Sequence, residues 1–135
     1  MRIAVIDGQG GGIGKYITER LRKEFPEEVE IIALGTNALA ASAMLKSGAN
    51  EGASGENAIV FNAGRVDLII GPVSIVMANA MLGEVTPRMA EAVAGSWAQK
   101  ILLPVTREDV VFAGYTSQPL PHLIDDLIDK IRERI

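Results

Sequence analysis

The chain has 135 residues, a formal net charge of −4, 48% hydrophobic residues and a mean hydropathy of +0.23, which excludes disorder and fits one domain with a single core. Its basic residues form no stripe, so a nucleic-acid backbone is not an expected partner, and no stretch approaches the roughly 20 apolar residues of a membrane span. With no cysteine and one histidine, His122, disulfides, thiolate catalysis and multi-histidine metal sites are excluded. The N-terminus enters a strand without a secretory segment, so the expected location is the cytoplasm.

Arg2 to Asp7 reads as a buried strand. Ile13, Ile17, Leu21 and Phe25 recur every four residues and give the first helix one apolar stripe, ended by Pro26. Val29 to Leu34 is a second strand. Gly35-Thr36-Asn37 is a turn and N-cap, and an alanine-rich helix runs from there to Lys46, with Gly48 closing it. Residues 48 to 57 read as a glycine-rich loop that feeds a short helix ending at Gly64. Val66 to Ile70 is a third strand, and Gly71-Pro72 breaks it. Val73 to Leu82 is an apolar helix ended by Gly83, and Thr86-Pro87 opens another that ends near Gly95. Lys100 to Leu103 and Val110 to Ala113 are strands four and five. The linker between them is too short for a parallel crossover, so they are expected to form an antiparallel hairpin. The last helix starts near Pro121, with Leu120, Leu123, Ile124, Leu127, Ile128 and Ile131 on one face.

Alternating strands and helices predict a single three-layer α/β domain, Rossmann-like and mostly parallel. Right-handed crossovers give the order 3-2-1-4-5, with strand 5 an antiparallel edge. From Ile31 to Gly83 the only charged residues are Lys46, Glu51, Glu56, Arg65 and Asp67. Helices that are apolar nearly all round need cover on every side, so the 38–46 or 73–82 helix is expected to pack on another subunit of a homo-oligomer.

The densest signal is Val-Ile-Asp-Gly-Gln-Gly-Gly-Gly-Ile-Gly-Lys (5–15), a strand that runs through five glycines within seven residues into a helix. The free N–H groups of a first helical turn attract anions, and glycine lets a ligand approach them. Gly8, Gly12 and Gly14 fit the glycine spacing of short-chain dehydrogenases. However, the second strand lacks the terminal acid that bonds a ribose, and no Tyr-x-x-x-Lys pair stands in place. Gly14-Lys15 looks like the end of a P-loop, but Tyr16 stands where magnesium needs a hydroxyl. The bland alternative is a tight strand-to-helix turn. One or two glycines suffice for that, and each extra one costs about 0.5–1 kcal/mol of backbone entropy. Gly8, Gly10, Gly11, Gly12, Ile13 and Gly14 are therefore the candidate phosphate cradle, with Thr36 and Asn37 near a ribose.

In this topology Asp7, Gly8 to Gly14, Gly35 to Asn37, Gly71 to Ser74 and Pro104 to Thr106 fall at the carboxyl ends of the strands, where ligands sit. Asp7 either binds a metal–phosphate or acts as a base, or it accepts loop N–H groups and holds the glycines in shape. Ser74 opens a helix after Gly71-Pro72, either as an anion site or as a cap. Asn79 touches ligand or bonds a neighbouring helix. Glu51, Ser54, Glu56 and Asn57 belong to a lid or to a solvated connector. His122 reads as a surface residue, and Trp97 as core or interface.

Taken whole, the chain resembles a small family of bacterial proteins catalogued as a domain of unknown function. The resemblance rests on segments 6–15, 33–40, 48–53, 55–59, 79–84 and 119–123. It implies a Rossmann-like fold and carries over no catalytic residue. The leading functional reading is binding of a small anionic ligand, NAD(P) or another nucleotide, without a named reaction. The alternatives are an oligomeric assembly module, or a small enzyme for a phosphorylated or carboxylate metabolite.

Overall fold

Aliphatic runs with no polar side to turn to water must be covered on both faces, and they form the centre of a parallel sheet. The computed structural model describes residues 1–135. Its strands are β1 (Arg2–Asp7), β2 (Glu30–Gly35), β3 (Glu51–Ser54), β4 (Leu68–Pro72) and β5 (Gln99–Leu103). They are ordered β3-β2-β1-β4-β5, and every neighbouring pair is parallel. The helices are α1 (Gly12–Glu24), α2 (Ala38–Lys46), α3 (Glu56–Ala63), α4 (Pro87–Ala94) and α5 (Leu120–Arg132).

Successive strand residues point to opposite faces and build two cores. Ile3 and Val5 pack with Ile17 and Leu21 of α1, Met44 of α2 and Ile124, Leu127 and Ile131 of α5. Ala4 and Ile6 pack with Ile59 of α3 and Met89 and Val93 of α4 on the other side. Gly71 lies where β4 presses on β1, and a Cβ there would overlap the Ile6 carbonyl oxygen.

Several local expectations hold. Asn37 caps α2 by accepting from the Ala40 amide at 2.9 Å. Thr86 caps α4 by accepting from Met89 at 3.1 Å, with Pro87 next to it. Gly48 follows α2 with φ +122°.

Other expectations are corrected. The order 3-2-1-4-5 stands, but strand 5 is parallel. The strand read as the third is the fourth in the chain, because Glu51–Ser54 inside the glycine-rich stretch pairs with β2. Residues 48–57 are therefore not a free lid. The signal was weak because β3 is four residues of Glu, Gly, Ala and Ser at a sheet edge, which lack the branched side chains that mark strands.

Val110 to Ala113 is no strand, and the hairpin does not form. After β5 the Val105 amide bonds back to the Leu103 carbonyl at 2.8 Å, and this tight turn sends the chain over the end of the sheet. The predicted 73–82 helix is a 3-10 turn, Val73–Val76, followed by an irregular loop. Asn79, Met81 and Leu82 have φ of +67°, +58° and +57°, which an α-helix does not admit. Trp97 does not fill the core, because its side chain is fully solvent-exposed.

Candidate functional site

The five glycines of the loop divide by what surrounds them. A Cβ on Gly14 would press on Met44 and on Asp7 at 2.8 Å, so its absence lets α1 sit against β1 and α2. Gly11 is the left-handed N-cap of α1, φ +73°, and a Cβ there would lie 2.8 Å from the Ala40 backbone. Gly8 is wedged against Thr36 and Met81. Packing explains these three. Gly10 and Gly12 differ, because a Cβ on either meets nothing within 4 Å. No hydrogen bond within the chain takes up their amides; Gly12 opens the first turn of α1, where amides have no intrahelical partner, and Gly10 precedes the N-cap.

Asp7, 4% exposed at the end of β1, holds this arrangement. One carboxylate oxygen accepts the Gly8 amide at 2.8 Å and the other the Gly14 amide at 2.7 Å. Burial pushes its carboxyl above the ordinary value. Hydrogen bonds from Gly14, Gly8 and Ile13 oppose that rise, and the nearby charge of Glu84 adds to it. Both oxygens are thus committed to the loop, which is the shape-holding role rather than that of a free base.

Gly10 and Gly12 open onto a cleft of about 730 Å³ between the ends of β1 and β4. Its far wall comes from two segments. Ser74, 5% exposed, donates to the Thr106 hydroxyl at 2.9 Å. Arg107 stands exposed at the rim without an ion pair and is the cation of the cleft. Asn79, Met81 and Leu82 overhang it, with Leu82 98% exposed. Glu108 ties this overhang to the 104–108 segment by accepting the Met81 amide at 3.1 Å.

On the β2 side a carboxylate seals the loop. Glu84 Oε1 accepts from the Thr36 hydroxyl at 2.6 Å, the Asn37 side-chain amide at 2.8 Å and the Gln9 backbone amide at 2.9 Å. Partial burial alone would raise the Glu84 carboxyl, but these three donors outweigh it and hold it below its ordinary value. Asn37 also donates to the Gln9 carbonyl at 2.9 Å.

Of the residues singled out from the sequence, Asp7, Gly8, Gly10, Gly11, Gly12, Ile13, Ser74 and Asn79 line the cleft together. Gly14 lies beneath the loop. Thr36 and Asn37 face Glu84 instead of the cleft, and Gly71 is buried in the sheet. Ser54 is exposed at the end of β3 and Asn57 is exposed on α3, both outside the cleft. Ser54 does not cap α3, whose N-cap is Gly55. Glu56 accepts from Thr86 at 2.8 Å, and His122 is exposed in the first turn of α5. Sequence reasoning did not single out Arg107 or Glu108. It quoted Glu84 only within segment 79–84 and gave it no role. Each is one charged residue in a loop, and no spacing marks it.

The family model of a domain of unknown function, DUF3842, matches residues 2–135. The chain belongs to this family. No curated protein matches it. Among solved structures the chain is similar to a dodecameric FMN-dependent UbiX-like decarboxylase from Escherichia coli O157:H7. The TM-score is 0.56 at 14% identity, covering 97% of this chain and 94% of that one. The likeness supports the Rossmann-like α/β fold of this DUF3842 member. No helix is long and apolar enough to cross a membrane.

Proposed function

We propose that the protein binds a nucleotide-like ligand through a phosphate seated on the N-terminus of α1. The observation that carries this reading is the pair Gly10 and Gly12. Packing accounts for Gly8, Gly11 and Gly14, whereas Gly10 and Gly12 line the cleft with bare backbone whose amides have no partner in the chain. Unpaired amides at a helix N-terminus complement an anion. Arg107 and the hydroxyls of Ser74 and Thr106 face the same space and suit a phosphate and its attached sugar. The cleft volume falls in the range of small-ligand sites. The fold neighbour is FMN-dependent, which makes flavin mononucleotide the first probe, followed by NAD(P), ATP and GTP. A ligand at about 100 times its Kd stabilises a fold by roughly 2.7 kcal/mol, several degrees in Tm for a domain of this size. A thermal-shift panel is expected to show that rise for at least one nucleotide. Flat melting curves across the panel would refute the reading.

A homo-oligomer is proposed alongside it, on a different observation. The inner face of α2 is buried by Ala40, Ala41 and Met44, while Leu39 on its outer face is 68% exposed and Leu45 is 44% exposed. Trp97 adds a second uncovered apolar group. Leu39 and Leu45 on one helix, and Trp97 before β5 at the opposite edge of the sheet, are each candidate contact points. Leu39→Glu is expected to reduce the assembly to monomers without unfolding the chain. Light scattering behind size exclusion measures this, and an unchanged oligomer or a monomeric unsubstituted protein counts against it.

A further inference from the structure

We infer that Glu84 restricts the cleft to mononucleotides by filling the place where the second half of a dinucleotide would lie. The inference rests on the phosphate-binding reading above. A ligand anchored at the N-terminus of α1 can extend over the end of β2 or over the end of β4. A dinucleotide of the Rossmann type uses both directions, with one ribose held at the end of β2. In this protein only the β4 direction is open.

The β2 end terminates in Thr36 and Asn37, and both side chains donate to Glu84 Oε1, as does the Gln9 amide from the glycine loop. Thr36 and Asn37 are therefore engaged within the chain, and the one acid at the β2 end spends its Oε1 on three donors of the chain instead of on a ribose hydroxyl. The space is closed as well. A Cβ built on Gly8 would come within 2.6 Å of Met81 Sδ and 3.2 Å of Glu84 Oε1. The residues lining the cleft belong to β1 and its loop, to Pro72 and Ser74, to the 79–82 overhang and to 105–108, and none comes from β2 or the turn after it.

The plug is held in place. Asn79, Met81 and Leu82 keep left-handed backbones, which persist only where surrounding contacts over-determine them. Those contacts include Glu84 on the glycine loop and the grip of Glu108 on the Met81 amide at 3.1 Å. The carboxylate also places a negative charge where a second phosphate or a ribose phosphate would have to pass.

The test titrates the intact protein with matched pairs, FMN against FAD and ADP against NAD⁺. In whichever pair binds, the mononucleotide is expected to bind roughly tenfold or more tightly than the dinucleotide. Glu84→Ala is expected to narrow that gap to about threefold or less by opening the β2 side. Met81→Ala, which thins the same wall and leaves Glu84 in place, is expected to narrow it if Glu84→Ala does not fold. A dinucleotide that binds the unsubstituted protein as tightly as its mononucleotide overturns the inference and leaves the phosphate site standing. A gap unchanged in a folded Glu84→Ala, or in Met81→Ala where Glu84→Ala does not fold, also overturns it. Failure of all four nucleotides to bind removes the phosphate reading and this inference with it.

Discussion

A Gly12→Asp variant is expected to lose nucleotide binding by about a hundredfold while folding at least as well as the unsubstituted protein. The two halves of this result have separate causes. Gly12 is the first residue of α1, its φ is not left-handed, and a Cβ there meets nothing within 4 Å. Glycine is the poorest helix former after proline, by about 1 kcal/mol against alanine. A carboxylate in the first turn also gains roughly 0.3–1 kcal/mol from the helix dipole. Tm is therefore expected to stay level or rise by a few degrees. The same carboxylate stands where the ligand phosphate would sit. Two unit charges about 4 Å apart at an effective dielectric of about 20 repel by about 4 kcal/mol, and solvent in the open cleft reduces that to roughly the hundredfold loss above. Calorimetric titration with the nucleotide that shifts Tm measures the binding, and a melting curve measures the fold. Unimpaired binding in Gly12→Asp would move the phosphate away from α1.

Asp7→Ala is expected to cost about 3 kcal/mol, because the buried amides of Gly8 and Gly14 lose their acceptors at about 1–3 kcal/mol each. In Tm this is a fall on the order of 10 °C, and nucleotide binding is expected to disappear with the loop geometry. The pH dependence carries a sign. In the folded protein the Asp7 carboxyl lies above its ordinary 3.8, so the folded state holds the proton more tightly than the unfolded one. Its contribution is greatest below 3.8 and falls as pH rises through the raised value. Glu84 behaves oppositely. Its folded value lies below 4.5, so its contribution is present above 4.5 and is lost as pH falls through the lowered value. Denaturant titrations across this acidic range are expected to show the Asp7→Ala deficit widening on acidification and the Glu84→Gln deficit narrowing. Deficits that move in the same direction would contradict the assignment.

Local pattern made much of this molecule legible in the sequence. The apolar run 3–6 followed by glycine announced a central strand that enters α1. Asn37, Gly48, Thr86 and Pro87 marked helix ends through side-chain or backbone chemistry that acts within one turn. The stripe Ile124, Leu127, Ile128 and Ile131 defined α5. Where local pattern was poor, reading went astray. β3 carries no strand-forming side chain, and its pairing comes entirely from the edge that β2 offers. Val73 to Leu82 is apolar enough for a helix, but the left-handed backbone of Asn79, Met81 and Leu82 is stabilised by partners elsewhere in the chain, Glu108 on the Met81 amide among them.

The sequence by itself determined the family, the mostly parallel α/β class and the glycine loop, since these depend on periodicity and on contacts between near neighbours. Only the tertiary structure decided which glycines serve packing and which face the cleft, because neighbours such as Ala40 and Met44 lie on another helix. Only the tertiary structure brought Glu84 to Thr36, 48 residues away, and to Gln9, 75 residues away. A single carboxylate in a loop carries no periodic signal. Its position follows from the whole sheet, whose strand order brings those loops to one end of the molecule.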